Sequence, residues 1–122
     1  MKFHIDKAVG QNLFTGYGQG YVSINNQRFE HPVLVLPEQA VESWAVAGFD
    51  ALTREHFDAA LEKRPEIVLF GSGDTLRFPG PELTRGLAAA GVGFEVMDTR
   101  AACRTYNILI VEGRRVVAAI LV

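Results

Sequence analysis

The sequence predicts an α/β fold whose second half forms a parallel sheet. That half alternates strand, helix, strand, helix, strand, an order typical of right-handed crossovers. The closing segment, RVVAAILV, is apolar at almost every position, so we expect it at the centre of the sheet with both faces covered. Upstream, GYVSIN alternates as a strand does and ends at Asn25–Asn26, which suits the turn of a β-hairpin.

Length and composition fit one soluble globular domain spanning residues 1–122. Of these residues 48% are hydrophobic and 21% charged, and the formal net charge is −2, which argues against nucleic acid as a partner. The longest apolar run, Val116 to Val122, is far shorter than the ~20 residues of a membrane-inserted helix. No targeting leader is evident, and the single cysteine, Cys103, can form no internal disulfide. We therefore expect a cytoplasmic protein.

In the N-terminal part of the chain, the sequence predicts only the hairpin clearly. Residues 1–19 are interrupted by glycines, and we expect a loop or a weak strand there. The segment RFEHPVLVLP is predicted as the return strand of the hairpin, with Pro32 at an edge, an end or a bulge. Residues 38–52 are ambiguous, and we interpret them as a short helical turn carrying Trp44 followed by irregular chain.

The middle of the chain predicts a helix, a strand and a second helix. Thr53 is the expected N-cap of a helix over residues 54–63. The apolar run at residues 66–70 is predicted as a buried strand. The second helix is expected to begin at Pro81, to bury Ala90 among other residues, and to end before Gly91.

The last part of the chain predicts a strand at residues 93–97 and then a helix from Asp98 or Thr99 to about Val111. Apolar residues in this helix recur at helical spacing. The alternative is a hairpin that turns at Gly113 and pairs residues 108–111 with the closing strand. We prefer the helix.

A glycine-rich loop, GSGDT at residues 71–75, follows the strand predicted at 66–70. It is not a dinucleotide-binding fingerprint, because Leu76 stands where the third glycine belongs. It also lacks the Gly-Lys-Ser/Thr of a P-loop, and it is one residue short of a nucleophile elbow. No histidine lies near Ser72 in the sequence to activate its hydroxyl. We interpret the segment as a binding loop without a covalent role, and the alternative is a structural turn.

A polar stripe supports the functional interpretation of this loop. Arg100, Arg104 and Asn107 are spaced i, i+4, i+7 and so share one face of the last predicted helix. The helix dipole disfavours a cation in the first turn, where Arg100 stands. We expect a negative charge to offset this unfavourable interaction of Arg100 with the dipole. The charge could come from an ion pair to Asp98 or Asp74, or from a bound anion or a partner's carboxylate.

The predicted strand order brings the loop and the stripe together. If the strands at 66–70 and 93–97 are parallel, both carboxyl ends lie at one edge of the sheet, where α/β proteins bind ligands. We expect the Arg100 guanidinium within about 10 Å of the Asp74 carboxylate or the loop amides. The candidate residues for binding a ligand or partner are Gly71, Ser72, Gly73, Asp74, Thr75, Asp98, Thr99, Arg100, Arg104 and Asn107.

No catalytic residue, cofactor or metal site is predicted. The three histidines are scattered without ligand spacing. Cys103 has no histidine near it in the sequence, and we expect a buried, unreactive thiol packed by Tyr106 and by strand residues.

Several segments resemble one family across residues 10–122. They are GYGQGYVSINNQ, SWAV, PEIVLFGSGDTLRFP and GVGFEVMDTRAACRTYNILIVEGRRVVAAIL. Together they resemble the domain-of-unknown-function family 498, whose archaeal prototype defines a three-layer α/β fold. That family includes a mitochondrial assembly factor of respiratory complex I. The resemblance implies a mixed central sheet flanked by helices, a separate β-hairpin and protein partners, with no established enzymatic activity.

Two classes of function follow. The first is a non-catalytic protein that binds partner proteins during assembly, and the absence of every catalytic motif tested above supports it. The second is an enzyme or binding protein for a small molecule or anion, which would use Gly71–Thr75 and Asp98–Arg100. We favour the first class.

Overall fold

The computed structural model describes residues 10–122, which form two β-sheets and three α-helices. Residues 1–9 of the stretch predicted as loop or weak strand at residues 1–19 therefore lie outside the described residues, and Phe14–Gly18 within it form a strand. The strands are β1 (Phe14–Gly18), β2 (Tyr21–Ile24), β3 (Gln27–Phe29), β4 (Val33–Val35), β5 (Glu42–Ser43), β6 (Ile67–Gly71), β7 (Gly93–Met97) and β8 (Val116–Ile120). The helices are α1 (Arg54–Leu61), α2 (Arg85–Ala89) and α3 (Thr99–Val111).

The predicted hairpin is present and is extended to three strands. β2 and β3 pair antiparallel across Asn25 and Asn26, which have φ angles of 50° and 68°. Asparagine tolerates this left-handed conformation better than most residues. β1 pairs antiparallel with the other side of β2, so the small sheet has the order β1-β2-β3.

The prediction of a single return strand over RFEHPVLVLP is wrong, because the chain changes sheets within it. β3 ends at Phe29 in the small sheet, and β4 begins at Val33 in the large one. Pro32 stands at the break, where its missing N–H interrupts no ladder.

The predicted helical turn carrying Trp44 is also misplaced. The structure has the short strand β5 just before Trp44 and a 3₁₀ turn after it, at Phe49–Ala51. Trp44 is buried, its ring packs edge-on against Phe57, and its Nε1 donates a hydrogen bond to the His56 carbonyl at 3.0 Å. Packing against α1 therefore fixes this residue, rather than a local helical preference.

The large sheet is mixed, and β8 lies at its centre as predicted. The strand order is β5-β4-β8-β6-β7. β8 runs parallel to β6 and antiparallel to β4, and β6 runs parallel to β7. Every residue of β8 is buried, because helices or the small sheet cover both faces.

Alternate residues along the strands of the large sheet point to opposite faces and pack into two separate hydrophobic clusters. In β8, Val116, Ala118 and Ile120 belong to a cluster with α3 and the small sheet. Val117 and Ala119 belong to a cluster with α1 and α2. The molecule therefore has three layers, with α1 and α2 on one face of the large sheet and α3 with the small sheet on the other.

The helices agree with prediction except at α2. α3 is helical throughout, so the alternative hairpin at Gly113 is wrong. The chain from Pro81 forms only a 3₁₀ turn, and the α-helix begins later, at Arg85. Ala90 is exposed, contrary to prediction. The short helix contains Gly86, which has low helix propensity and lies against the side chain of Asp58.

Candidate functional site

The carboxyl ends of β6 and β7 and the start of α3 meet at one edge of the large sheet, as the predicted strand order requires. Gly71 is in register with Met97 and with Ile120. The loop after β6 therefore lies beside Asp98–Arg100. We call residues 71–78 together with residues 98–100 the edge surface.

Thr99 forms hydrogen bonds that join the two segments of the edge surface, residues 71–78 and residues 98–100. Its buried hydroxyl accepts a hydrogen bond from the Gly73 N–H at 2.9 Å and donates one to the Leu121 carbonyl at 2.6 Å. The Thr99 N–H donates in turn to the Gly73 carbonyl at 2.9 Å. Thr99, predicted as a binding residue, thus has its polar groups bonded within the chain.

The Ser72 hydroxyl is likewise used by the loop itself. Ser72 is buried, and its Oγ donates to the Thr75 carbonyl at 2.7 Å and accepts from the Arg77 N–H at 3.1 Å. Its own N–H donates to the Met97 carbonyl at 2.8 Å. Both contacts of the hydroxyl are to backbone groups, and neither activates it as a nucleophile.

Two glycines let the loop pack this closely. A Cβ on Gly71 would lie 2.9 Å from Ile120 Cδ1 and 3.2 Å from Thr99 Cα, so any side chain there would push the loop off α3. Gly73 has a φ of 102°, a conformation that residues with a Cβ rarely adopt. These glycines serve packing and turn geometry first.

Some charged side chains of the edge surface form hydrogen bonds within the chain, and others are exposed and form no ion pair in the described part of the chain. The Asp98 carboxylate caps α3 by accepting the Ala101 N–H at 2.9 Å. Arg100, Asp74 and Thr75 are exposed. Within residues 10–122, no carboxylate forms an ion pair with Arg100, so the expected pairing to Asp74 or Asp98 is not present. The expectation of about 10 Å between Arg100 and the loop remains a prediction.

The remaining residues of the polar stripe contact the small sheet. Asn107 holds the backbone of β1, accepting the Phe14 N–H at 2.9 Å and donating to the Phe14 carbonyl at 2.8 Å. Arg104 donates to the Tyr17 hydroxyl at 2.8 Å. The sequence suggested a ligand-binding stripe, but the second half of it attaches α3 to β1.

Two exposed apolar side chains of the loop were not predicted from the sequence as site residues. Leu76 and Phe78 are 53% and 68% exposed. Between them, Arg77 lies over the Phe49 ring at 4.0 Å and bonds Asp50 at 2.9 Å. The segment DTLRFP could have indicated these exposed side chains, because its apolar residues lie outside any predicted helix or strand.

The buried titratable groups near this edge are unsuited to chemistry. Cys103 is buried as predicted, in a cluster with Tyr106, Leu69 and Ala118. Burial raises the pKa of its thiol from 9.0 to about 12, so it carries almost no thiolate at neutral pH. Within the described residues, no three His, Cys, Asp or Glu side chains are grouped to share a metal ion. No helix in that part of the chain has the length and apolarity needed to cross a bilayer.

Comparison with known proteins places this geometry in a family. A bovine protein named NADH dehydrogenase [ubiquinone] 1 alpha subcomplex assembly factor 3 is 37% identical over 105 residues, which are 84% of this chain and 56% of the relative. This chain thus spans little more than half of that relative's length. A 13 kDa major membrane protein of Francisella tularensis is 29% identical over 117 residues, 95% of each chain.

Solved structures agree with the fold described above. The crystal structure of a Bordetella parapertussis protein is 46% identical, with a TM-score of 0.88 over 92% of this chain and 96% of that one. The solution structure of a Bordetella pertussis protein described as an Mth938-like domain is 39% identical, with a TM-score of 0.83 over 99% and 92%. Residues 14–121 match the family described as protein of unknown function DUF498/DUF598. The chain therefore belongs to the DUF498/DUF598 family.

Proposed function

We propose that the protein is a non-catalytic binding protein that assists the assembly of a respiratory NADH dehydrogenase. The names of its bovine and other animal relatives support this role. We further propose that it binds its protein partner through the edge surface. The exposure of Leu76 and Phe78 on a tightly bonded loop is the observation that carries this proposal.

Exposed apolar and aromatic side chains on a fixed loop are suited to protein recognition. Aromatic residues often contribute most of the binding energy of an interface. The hydrogen bonds of Ser72 and Thr99 hold the loop in one conformation, so little conformational entropy is lost on binding. Arg100, exposed beside the loop, adds a charge that would select an acidic rim on the partner.

The alternative is an enzyme or binding protein for a small molecule or anion at Gly71–Thr75 and Asp98–Arg100. The unpaired Arg100 favours it. Against it, the amides of Ser72 and Gly73 already donate within the chain, and so does the Thr99 hydroxyl. Fewer donors remain for an anion than the sequence suggested.

Complementation in cells of the organism that encodes the chain tests the proposal. Deleting the gene should lower the amount of assembled NADH dehydrogenase, and the native chain should restore it. Phe78→Ser and Arg100→Ala should fold normally, because both side chains are exposed, but should restore less and co-purify with fewer subunits of the enzyme. Ile108→Ser is the matched control, since Ile108 is also exposed, at 59%, on α3.

The outcomes separate the two functions. Unaltered assembly in the deletion strain would refute the assembly role. A Ser72→Ala variant that keeps the native melting temperature but fails, while Phe78→Ser and Arg100→Ala succeed, would instead support chemistry at the loop.

We also propose a cytoplasmic location, supported by the single unpaired cysteine. The name of the Francisella relative points instead to the membrane. Cell fractionation decides between them: the chain should appear in the soluble fraction, or leave membranes after a salt wash. Retention after alkaline carbonate extraction would contradict this location.

A further inference from the structure

We propose that a cavity at the opposite edge of the large sheet binds a small organic anion that also carries a hydroxyl or amino group. The cavity has a volume of about 340 Å³, within the range of small-molecule sites. It lies where β6 and β8 begin, between the turns that follow α1 and α3 and the segment after β4. The edge surface lies at the other ends of these strands, so the two sites are separate.

The cavity combines apolar walls with a set of cations. The walls include Leu36, Pro65 and Ile110. The charged side chains are Glu38, Lys63, Arg64, Arg114 and Arg115. This mixture of apolar surface with a few convergent charges is typical of sites for small organic ions.

Two of the four cations are free to bind an anion. Lys63 pairs with Glu42, and Arg114 Nε lies 3.2 Å from Glu66 Oε2. Arg64 and Arg115 form no ion pair with a carboxylate within residues 10–122. Both arginines are exposed at the rim of the cavity, and an anionic group that reaches both side chains would meet two guanidinium groups, whose donors suit carboxylate and phosphate geometry.

The backbone of Arg64 gives independent support. All three α-helices are followed by a residue with positive φ, but α2 and α3 use glycine there, Gly91 at 73° and Gly113 at 80°. After α1 the residue is Arg64, with a φ of 56°. This conformation is unfavourable for a residue with a Cβ, and such strain is concentrated at functional positions. Arg64 is thus the one residue with positive φ after an α-helix of the described chain that carries a side chain.

Interaction with the helix dipole does not require an arginine at the positive-φ position itself. A cation near a helix C-terminus is favourable, but Lys63 already provides one after α1. After α3, the residue with positive φ is Gly113, and the next residue, Arg114, provides the cation.

Gln11 indicates the second group of the ligand. It lines the cavity, and its Oε1 is buried without a hydrogen-bond partner among the described residues. Buried polar atoms are normally bonded. Because this atom is fully buried, the Gln11 side chain would have to turn toward the cavity, where a hydroxyl or amino group on the ligand would supply the missing donor.

Titration of the ¹⁵N-labelled protein tests the proposal with defined probes. Glycerol 3-phosphate and L-malate each combine an anionic group with a hydroxyl on carbon, and inorganic phosphate has no hydroxyl on carbon. At least one of the two organic probes should bind saturably and shift the amides of Leu36, residues 38–39, residues 63–64 and residues 110–117. Inorganic phosphate should bind more weakly. Which organic probe binds identifies the anion as phosphate ester or carboxylate.

Arg64→Gly separates a binding role from a structural one. Glycine relieves the backbone, so the melting temperature should stay the same or rise, while affinity for the bound probe falls about tenfold or more through loss of a charge-assisted hydrogen bond. Arg85→Ala, which removes an exposed arginine on α2, is the control and should bind as the native chain does. The proposal is overturned if no organic probe binds, if shifts are scattered over the surface, or if Arg64→Gly binds unchanged.

Discussion

Two threonines of the edge surface differ in the surroundings of their hydroxyls. Thr99 is buried and bonds Gly73 and Leu121, whereas the Thr75 side chain is exposed. Thr99→Val should leave the partly buried Gly73 N–H and the buried Leu121 carbonyl without these partners and lower the free energy of unfolding by about 1–3 kcal/mol. Thr75→Val, the same change in the same surface, should stay within about 0.5 kcal/mol. Urea denaturation of both variants measures this difference, and equal effects would contradict the bridging role of Thr99.

Because the pKa of Cys103 is raised in the folded chain, the free energy of unfolding should fall at alkaline pH. The folded thiol keeps its proton up to about pH 12, while in the unfolded chain it is released near 9.0. Its contribution is therefore complete below pH 9.0 and is lost as the pH rises toward about 12. The free energy of unfolding of Cys103→Ala should fall less steeply across this interval than that of the native chain.

Burial should also make Cys103 slow to react with a thiol reagent. Because the residue is 1% exposed, labelling should require opening of the fold and should accelerate strongly in denaturant. Rapid, complete labelling of the native protein would contradict this and would reopen a redox or nucleophilic role.

At the scale of elements, Asn107 on α3 forms hydrogen bonds that attach β1 to the helix. Asn107 makes two hydrogen bonds to the Phe14 backbone. Asn107→Ala should cost about 1–3 kcal/mol, from two bonds of about 0.5–1.5 each, and should speed amide exchange chiefly in β1–β3. Arg104→Ala, one turn away, removes a single exposed bond to Tyr17 and should cost less than about 1 kcal/mol. A uniform increase in exchange across both sheets would argue against this local attachment.

At the scale of the whole molecule, α3 packs against both sheets and couples them. Its buried residues share a cluster with Phe14 and Val22 of the small sheet and with Val116 and Ala118 of the large one. We therefore propose that the chain unfolds as one domain. Trp44 fluorescence reports the cluster on the α1 face, and NMR signals of β1–β3 report the small sheet. Their urea midpoints should coincide, and earlier melting of the small sheet would show two units.

The sequence by itself determined the features that rest on neighbouring residues. The unbroken apolar run of β8 placed that strand at the centre, because a strand with both faces covered needs no polar side chains. The periodicity of α3 and the cap at Asp98 defined the last helix. Strand order then brought residues 71–75 beside residues 98–100.

The tertiary structure alone decided how polar and irregular residues are used. Asn107 and Phe14 are 93 positions apart, so no local pattern could show that this amide serves the fold rather than a ligand. The switch between sheets at Pro32 and the position of Trp44 depend in the same way on distant packing partners. The cavity around Arg64 joins segments from four parts of the chain. Periodicity records which face of an element is apolar, whereas hydrogen-bond partners and cavities arise only when distant segments meet.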